Sequence, residues 1–309
     1  MSKRRSGVCI YGAFGRVRLR SSVVGRLSSC RMGLKDGMSC RIYKPRPPLS
    51  DFVELFWHYE GPGSPHAWER CFPSGTVKIF INLGDDGARA YDPRKAAPPQ
   101  SFRGPLVSGL HSGSFVIDTA GQELAVGAHF KPGGSLPFLG PAGELRDALV
   151  PLEALWGAEA ARLRERLLDA ATAEARFGVF ERVLLARLAG LSGGHPAVAL
   201  ALERFRNDHR GPRVSEVARW CGLSQRRFIR VFDEEVGLTP KLFARVQRFQ
   251  RALRLVEDGR GMEWGSVALE CGYFDQAHLI NDFRGFSGVT PTAYLAGRGD
   301  YFNHLPLQE

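Results

Sequence analysis

The chain has 309 residues, 44% of them hydrophobic, and a formal net charge of +10 at pH 7. This length and apolar content suffice for two domains that each bury a hydrophobic core. No run of about 18 apolar residues occurs, so the sequence predicts no membrane-spanning helix.

The six cysteines form no C-x-x-C pair, the spacing typical of zinc and redox sites. Two of them lie in packing positions of the helical motifs described below, which indicates buried thiols in a reducing cytosol. The histidines include no H-x-H pair, no G-x-S-x-G turn has a supporting strand and helix, and no phosphate-binding loop occurs. The sequence therefore predicts no cofactor, no metal and no catalytic residue.

Residues 1–37 form a basic segment without a periodic pattern. They hold nine Lys and Arg against one acid, so this segment carries +8 of the net charge. Three explanations are open: an arm that binds nucleic acid, a transit-like leader, or an upstream extension absent from the mature protein. We favour the last, because Met38 opens the first stretch with a coherent pattern, and we expect residues 1–37 to be disordered.

Residues 38–189 are predicted to form an α+β domain in which a β-rich, barrel-like sheet precedes helices. Alternating apolar residues between turn residues indicate four antiparallel strands. These are Val77–Leu83, Leu106–Leu110, Ser114–Asp118 and Glu123–Phe130. The proline-rich residues 88–104 are predicted to be a loop. From Lys131 onward the periodicity is helical, over Leu145–Leu149, Leu152–Trp156, Glu159–Leu168 and Glu174–Leu188.

Residues 190–196 (G-L-S-G-G-H-P) are a predicted linker, and beyond it one motif occurs twice. V-A-R-W-C-G-L starts at Val217 and V-A-L-E-C-G-Y at Val267, and each copy later closes on G-x-T-P, at Gly237 and at Gly288. The offset is 50 residues at the Cys-Gly pair and 51 at the closing turn, so the second copy has one extra residue. A repeat of this period indicates one supersecondary unit used twice.

Each copy is predicted to be a helix-turn-helix. The first short helix has one apolar face and ends at Gly222, where glycine adopts a left-handed conformation at low cost. Ser224 in the first copy and Asp275 in the second are natural N-caps for the next helix. These second helices, at residues 224–235 and 275–286, present a polar outward face that a DNA major groove can accept.

A linker helix is predicted between the copies, from Pro240 to Val256, because Thr239 is a good N-cap before a proline. This helix, the C-G-L-S and G-L-T-P turns of the first copy and the A-x-x-C-G-Y-x-D-Q-x-H and G-V-T-P patterns of the second resemble the DNA-binding domain of the AraC/XylS family of bacterial transcription regulators. The resemblance covers residues 197–297 and leaves 298–309 as a C-terminal tail. It implies an all-α domain of seven helices that carries two helix-turn-helix units.

The outward positions of the two second helices indicate which residues contact DNA. Arg226 and Arg230 lie four apart on one face and are predicted to contact base edges, since arginine is the commonest partner of guanine. Ile229 is placed to touch a thymine methyl, whereas Gln276 and Asn281 are placed to pair with adenine. The predicted DNA-binding set is Ser224, Gln225, Arg226, Arg227, Ile229, Arg230, Lys241, Arg245, Asp275, Gln276, Ala277, His278 and Asn281. Of these, we expect Arg227, Lys241 and Arg245 to contact phosphates only.

Charge supports DNA binding by the first unit more than by the second. Residues 213–254 hold ten Lys and Arg against four acids, which suits contact with phosphates. The second unit departs from the resemblance at Asn281, where family members commonly carry a basic residue, and Asp282 follows it. We therefore expect the second unit to bind less tightly or to contact chiefly the DNA backbone.

The sequence thus predicts a cytoplasmic bacterial transcription regulator that is not an enzyme. The resemblance implies double-stranded DNA and RNA polymerase as partners, with a small-molecule effector or pairing into a homodimer at the N-terminal domain, and no membrane. Trp57, Trp68, Phe72 and Phe80 are candidates to line an effector pocket. Two alternatives remain: a DNA-tethered enzyme or thiol-reactive domain built on Cys71, and an interaction protein without DNA binding.

Overall fold

The N-terminal region contains two antiparallel sheets in a computed structural model that describes residues 39–61, 67–85, 87–188, 194–207, 212–257, 263–299 and 302–307. Residues 1–37 and most of the predicted linker lie outside these ranges. The strands are β1 (Ser39–Tyr43), β2 (Val53–Glu60), β3 (Trp68–Cys71), β4 (Lys78–Asn82), β5 (Gly87–Tyr91), β6 (Gln100–Arg103), β7 (Leu106–Ser108), β8 (Phe115–Asp118), β9 (Leu124–Phe130) and β10 (Leu149–Pro151).

The first sheet has the strand order β1-β2-β9-β4-β7-β10 and contains much of the N-terminal core. Ile79 and Ile81 on β4 are fully buried, as the alternation in Val77–Leu83 predicts. Gly127 on β9 is where the sheet requires a glycine, because a Cβ there would lie 2.5 Å from the ring of Trp57. The four predicted strands are confirmed, as β4, β7, β8 and β9.

The second sheet contains β3, β8, β5 and β6. The prediction of a loop over residues 88–104 was wrong, because β5 and β6 form an antiparallel hairpin there, with Ala88 opposite Phe102 and Ala90 opposite Gln100. Three prolines lie within residues 92–99, which connect the two strands, and they leave the flanking residues free to pair.

Helices follow the sheets, as predicted, with one exception. They are α1 (Leu136–Leu139), a 3₁₀ turn (Ala142–Leu145), α2 (Glu153–Trp156), α3 (Ala158–Asp169) and α4 (Ala173–Leu188). The predicted helical segment Leu145–Leu149 is wrong: its end begins β10, which pairs with β7. Helix α4 packs Phe180 against Phe56 of β2, with ring centroids 5.4 Å apart.

The C-terminal region is all-helical over residues 196–297, apart from segments outside the described residues. Its helices are α5 (Pro196–Asn207), α6 (Val214–Trp220), α7 (Gln225–Val236), α8 (Pro240–Glu257), α9 (Trp264–Glu270), α10 (Gln276–Ser287) and α11 (Pro291–Gly297). The two helix-turn-helix units are α6–α7 and α9–α10, and α8 is the predicted linker helix. The expected architecture of this region is confirmed.

The end of the chain returns to the N-terminal region. Residues assigned to a C-terminal tail form strand β11 (His304–Leu307), which pairs antiparallel with β3 at the edge of the second sheet. Phe72, next to β3, packs its ring against Phe249 of α8 and Tyr294 of α11, at centroid distances of 6.0 and 5.5 Å. A single buried cluster therefore continues from the N-terminal region into the helices.

Candidate nucleic-acid interface

In the first helix-turn-helix unit, α7 begins at an N-cap, packs two buried phenylalanines into the core and ends at a glycine. The hydroxyl oxygen of Ser224 accepts a hydrogen bond from the backbone N–H of Arg227 at 3.3 Å. Phe228 and Phe232 are fully buried and lie 5.7 Å apart between ring centroids. The helix ends at Gly237, whose φ of +86° is the left-handed conformation that favours glycine.

The opposite face of α7 is basic and accessible. Arg230 Nε lies 3.8 Å from an oxygen of Glu234, and such an exposed pair contributes little in water, so it competes weakly with a phosphate or a base. The structure thus leaves most of the predicted contacts of α7 accessible. Ser224, Gln225, Arg226, Arg227 and Arg230 are exposed, whereas Ile229 is half-buried.

The second unit repeats this geometry with different chemistry. Asp275 caps α10, its carboxylate accepting from the backbone N–H of His278 at 2.7 Å. The His278 ring packs edge-on against Tyr273 at 5.1 Å, and its Nδ1 accepts from the backbone N–H of Phe274 at 3.4 Å. His278 therefore packs at the helix start, where it is half-buried.

The accessible face of α10 is polar and less basic than that of α7, with Arg284 as its exposed cation. Gln276, Ala277 and Asn281 are exposed. At the offset of 51 residues, Ala277 takes the place of Arg226, and Asn281 takes the place of Arg230. The amides of Gln276 and Asn281 are suited to adenine and to phosphates, while the first unit carries most of the positive charge.

Asp282 has a structural place that its sequence neighbours do not reveal. Its side chain is 7% exposed and accepts a hydrogen bond from Arg245 Nη2 on α8 at 2.7 Å. The same guanidinium lies 5.2 Å above the ring of Phe286. Arg245, predicted to contact phosphate, is thus engaged in joining α8 to α10. Lys241, at the start of α8, is exposed.

Two exposed apolar residues of the second unit were missed in the sequence. Phe274 is 87% exposed and Leu269 is 71% exposed, at the two ends of the turn between α9 and α10. The sequence held a signal for Phe274, because the extra residue of the second copy enters between its Gly and its N-cap Asp275. An exposed phenylalanine beside a recognition helix is placed for apolar contact with bases or deoxyribose.

The N-terminal region has a half-open cleft on the second sheet, and Trp68 packs against its lining residue Tyr91 without lining it. Trp57 and Phe72 are buried core, and none of the four predicted aromatics lines the cleft. His111 lies at its base, stacked on Phe115 at 3.9 Å, and burial lowers the pKa of His111 to about 4. The main lining residues are Tyr91, Asp92, Lys95, Phe102, His111, Phe115 and Asp147.

Cys71 has a histidine neighbour that only the fold provides. Its sulfur lies 3.7 Å from Nδ1 of His304 on β11, and the same nitrogen lies 2.6 Å from a carboxylate oxygen of Glu69. All three side chains are buried, so the thiol is shielded from a substrate in solution. The alternative of an enzymatic or thiol-reactive domain built on Cys71 is not supported.

Within the described residues, no group of three or more His, Cys, Asp or Glu side chains is placed to hold a metal ion. A search of the same ranges for helices long and apolar enough to cross a membrane finds none.

Of two solved structures similar to this chain, one covers about a third of it and the other most of it. The DNA-binding domain of AdpA, crystallised with a target DNA, is 28% identical, and the match covers 33% of this chain and 92% of that chain at a TM-score of 0.31. ToxT from Vibrio cholerae O395 is 11% identical over 85% of this chain and 98% of that chain, at a TM-score of 0.43.

Two curated relatives match about a third of this chain or less. An uncharacterized HTH-type transcriptional regulator of Haemophilus influenzae is 29% identical over 98 residues, 32% of each chain. LumQ of Photobacterium leiognathi, called a probable transcriptional regulator, is 30% identical over 81 residues, which are 26% of this chain and 32% of that protein. The chain thus spans about a third of the length of the curated relatives it matches.

Two family models match separate parts of the chain. One, described as a domain of unknown function (DUF6597), matches residues 41–151. The other, described as a helix-turn-helix domain, matches residues 217–297, which contain both copies of the repeated motif. With the two capped recognition helices described above, residues 217–297 of this chain are a helix-turn-helix domain of the AraC type.

Proposed function

We propose that this protein is a transcription regulator that binds double-stranded DNA sequence-specifically through α7 and α10. The observation that carries this proposal is the pair of helix-turn-helix units whose recognition helices each leave one polar face accessible. Helix α8 is about 27 Å long at about 1.5 Å per residue. A rod of that length is suited to holding two recognition helices about one turn of B-DNA apart, roughly 34 Å.

The two helix-turn-helix units contribute different contacts to DNA recognition. Arg226 and Arg230 on α7 supply charge and the donor pairs that match guanine, so the first unit binds more tightly. Gln276 and Asn281 on α10 contribute hydrogen bonds with little charge. Phe274 adds apolar surface at the start of α10, where thymine methyls or deoxyribose are suitable partners.

The test is binding of the full chain to DNA sites selected from a random pool, followed by a salt titration with scrambled DNA as competitor. We expect binding that resists the competitor and weakens by about 10³-fold or more between roughly 50 and 200 mM salt, because phosphate contacts release counterions. A pool that yields no site bound better than scrambled DNA would contradict the proposal.

Arg230→Ala is expected to weaken binding to the selected site by about 1–3 kcal/mol and to relax base preference at one position. Arg227→Ala is the matched control on the same helix. Because Arg227 is predicted to contact phosphate, its loss should weaken binding to all sequences equally and lower the salt slope by about 1. Measured affinities on single-base variants of the site distinguish the two, and a uniform loss with Arg230→Ala would make it a phosphate contact.

For the effector, the half-open cleft on the second sheet is our proposed site. Its lining combines aromatic faces with the neutral His111, which suits a small planar molecule. The cleft also lies close to the DNA-binding region. Its lining residue Asp147 directly follows Arg146, whose side chain contacts the C-terminal end of α7. A molecule that raises the melting temperature of the wild type but not of His111→Ala would support this site, and equal shifts would contradict it.

The remaining partners follow from the proposed function. A transcription regulator acts on RNA polymerase, and because it binds DNA, a bacterial regulator lies in the cytoplasm.

We also propose that two copies pair through the N-terminal region, since binding to a repeated site gains affinity from linkage. Sedimentation with and without the selected DNA measures this pairing, and a monomer under both conditions would contradict it.

A further inference from the structure

The N-terminal region contacts both recognition helices at the same place in the repeat. Gly237 ends α7 and Gly288 ends α10, both with left-handed φ, at +86° and +77°. Backbone carbonyls at the end of a helix lack intrahelical partners and carry the negative end of its dipole. In each unit an arginine from the N-terminal region donates to a carbonyl at this end.

At the first unit the arginine is Arg146, which follows the 3₁₀ turn Ala142–Leu145. Its Nε donates to the carbonyl of Gly237 at 2.8 Å, and its Nη2 forms an ion pair with Asp233 on the last turn of α7. The two backbones also touch, because a Cβ added to Gly237 would lie 2.8 Å from the carbonyl oxygen of Ala142. The C-terminal end of α7 is therefore held against the N-terminal region.

At the second unit the arginine is Arg70 on β3. Its Nη1 donates to the carbonyl of Ser287, the last residue of α10, at 3.2 Å. A Cβ added to Gly288 would lie 2.4 Å from that nitrogen, so the glycine gives the guanidinium its room. Arg70 thus contacts the C-terminal end of α10 as Arg146 contacts that of α7, at a carbonyl one residue earlier in the repeat.

The linker helix is fastened between these two points. Gln250 on α8 donates through Nε2 to the carbonyl of Pro73 at 2.7 Å and to the side-chain oxygen of Asn303 at 2.5 Å. Asn303 in turn donates to the carbonyl of Phe72 at 2.7 Å. The N-terminal region therefore contacts α7, α8 and α10, while Arg226, Arg230, Gln276 and Asn281 stay exposed on the faces proposed to meet DNA.

We infer that Arg70 and Arg146 are positioning residues for DNA recognition: they fix the angle and separation of α7 and α10, so that the N-terminal region sets the spacing of the two DNA segments that the protein accepts. The inference rests on the proposed function. One added base pair moves the second segment by about 3.4 Å and rotates it by about 34–36°. If α7 and α10 are held rigidly, they cannot follow this displacement, and binding to the altered site weakens. If they are loosened, they can follow it, and binding to the altered site is retained.

The experiment uses the full chain and three DNAs: the selected site, and the same site with one base pair inserted or deleted between the two contacted segments. The variant is Arg70→Met with Arg146→Met, because methionine retains an apolar stem and removes the donors. Arg41→Ala, which removes an exposed ion pair with Glu174, is the matched control. Far-UV circular dichroism and the urea midpoint establish folding.

We expect the wild type and Arg41→Ala to bind the altered sites about 10-fold or more weakly than the selected site. The double variant should lose most of this preference, with a ratio within about 3-fold. A general loss of stability lowers affinity for all three DNAs and leaves the ratio unchanged, so the ratio isolates positioning. If the double variant does not fold, the two single variants are tested instead, and a wild-type ratio in both overturns the inference.

A folded double variant with the wild-type ratio overturns the inference and leaves the proposed function in place. A wild type that binds no selected site better than scrambled DNA overturns the proposed function itself. A wild type that binds all three spacings equally overturns the inference alone, because no spacing preference then exists to be set.

Discussion

Phe249→Ala is expected to lower the free energy of unfolding by about 3–5 kcal/mol, a large part of the stability of a typical domain. Phe249 is fully buried on α8, with ring centroids 6.0 Å from Phe72, 5.2 Å from Phe283 and 5.3 Å from Phe286. One side chain thus joins the linker helix, α10 and the N-terminal region. Truncation to alanine leaves a cavity bordered on several sides by rigid elements, so structural relaxation recovers little of the lost stability.

Urea unfolding followed by far-UV circular dichroism measures this loss. Leu269→Ala, in the same helical region, is the control, because Leu269 is 71% exposed, and it should change stability by no more than about 0.5 kcal/mol. Similar losses for the two substitutions would show that Phe249 does not join the three elements as the structure describes.

Glu69→Ala is expected to destabilise the protein by about 3–5 kcal/mol at pH 6, because it leaves the buried His304 cation without its carboxylate. Burial disfavours the charged ring, but Cys71 and Glu69 outweigh it and raise the pKa of His304 to about 10. The folded state therefore binds a proton that the unfolded state releases above pH 6.5. The stability from this pair is fully present below pH 6.5 and is lost as the pH rises through about 10.

The measurement is the free energy of unfolding from pH 6 to pH 10 for wild type and Glu69→Ala. The wild type should lose stability over this range, and the variant should lose less, so that the gap between them narrows. Glu174→Ala, which breaks an exposed pair with Arg41, should cost at most about 1 kcal/mol at every pH. A gap between wild type and Glu69→Ala that is constant with pH would rule out an ionised His304.

Strand prediction succeeded where turn residues bound an apolar segment on both sides, as at β4, β7, β8 and β9. β2 was not predicted. Its sequence, V-E-L-F-W-H-Y-E, has six buried residues among eight, so apolar and polar residues do not alternate along it. The hairpin of β5 and β6 was missed for another reason, since the prolines of its connection dominated the local pattern.

Residues at the proposed DNA surface were accessible to prediction because their signals are local. Caps lie three residues from the N–H they accept, and Arg226 and Arg230 share a face by helical spacing alone. Asp282 and Arg245 show the limit. A carboxylate on a recognition helix looked like a weakness in DNA binding, and a partner 37 residues away makes it a buried ion pair.

The repeat, the two capped recognition helices, their unequal charge and the helix that joins them could all be predicted from the sequence, because caps, turns and helical faces depend on residues close together in the chain and the repeat shows these signals twice. Three sets of contacts are visible only in the tertiary structure. Strand β11 pairs with β3, His304 contacts Glu69 and Cys71, and Arg70 and Arg146 contact the ends of α10 and α7. These contacts join residues between 87 and 239 positions apart. No local period or spacing encodes them, because they arise when separately folded elements pack their apolar surfaces and must then find partners for the polar groups enclosed between them.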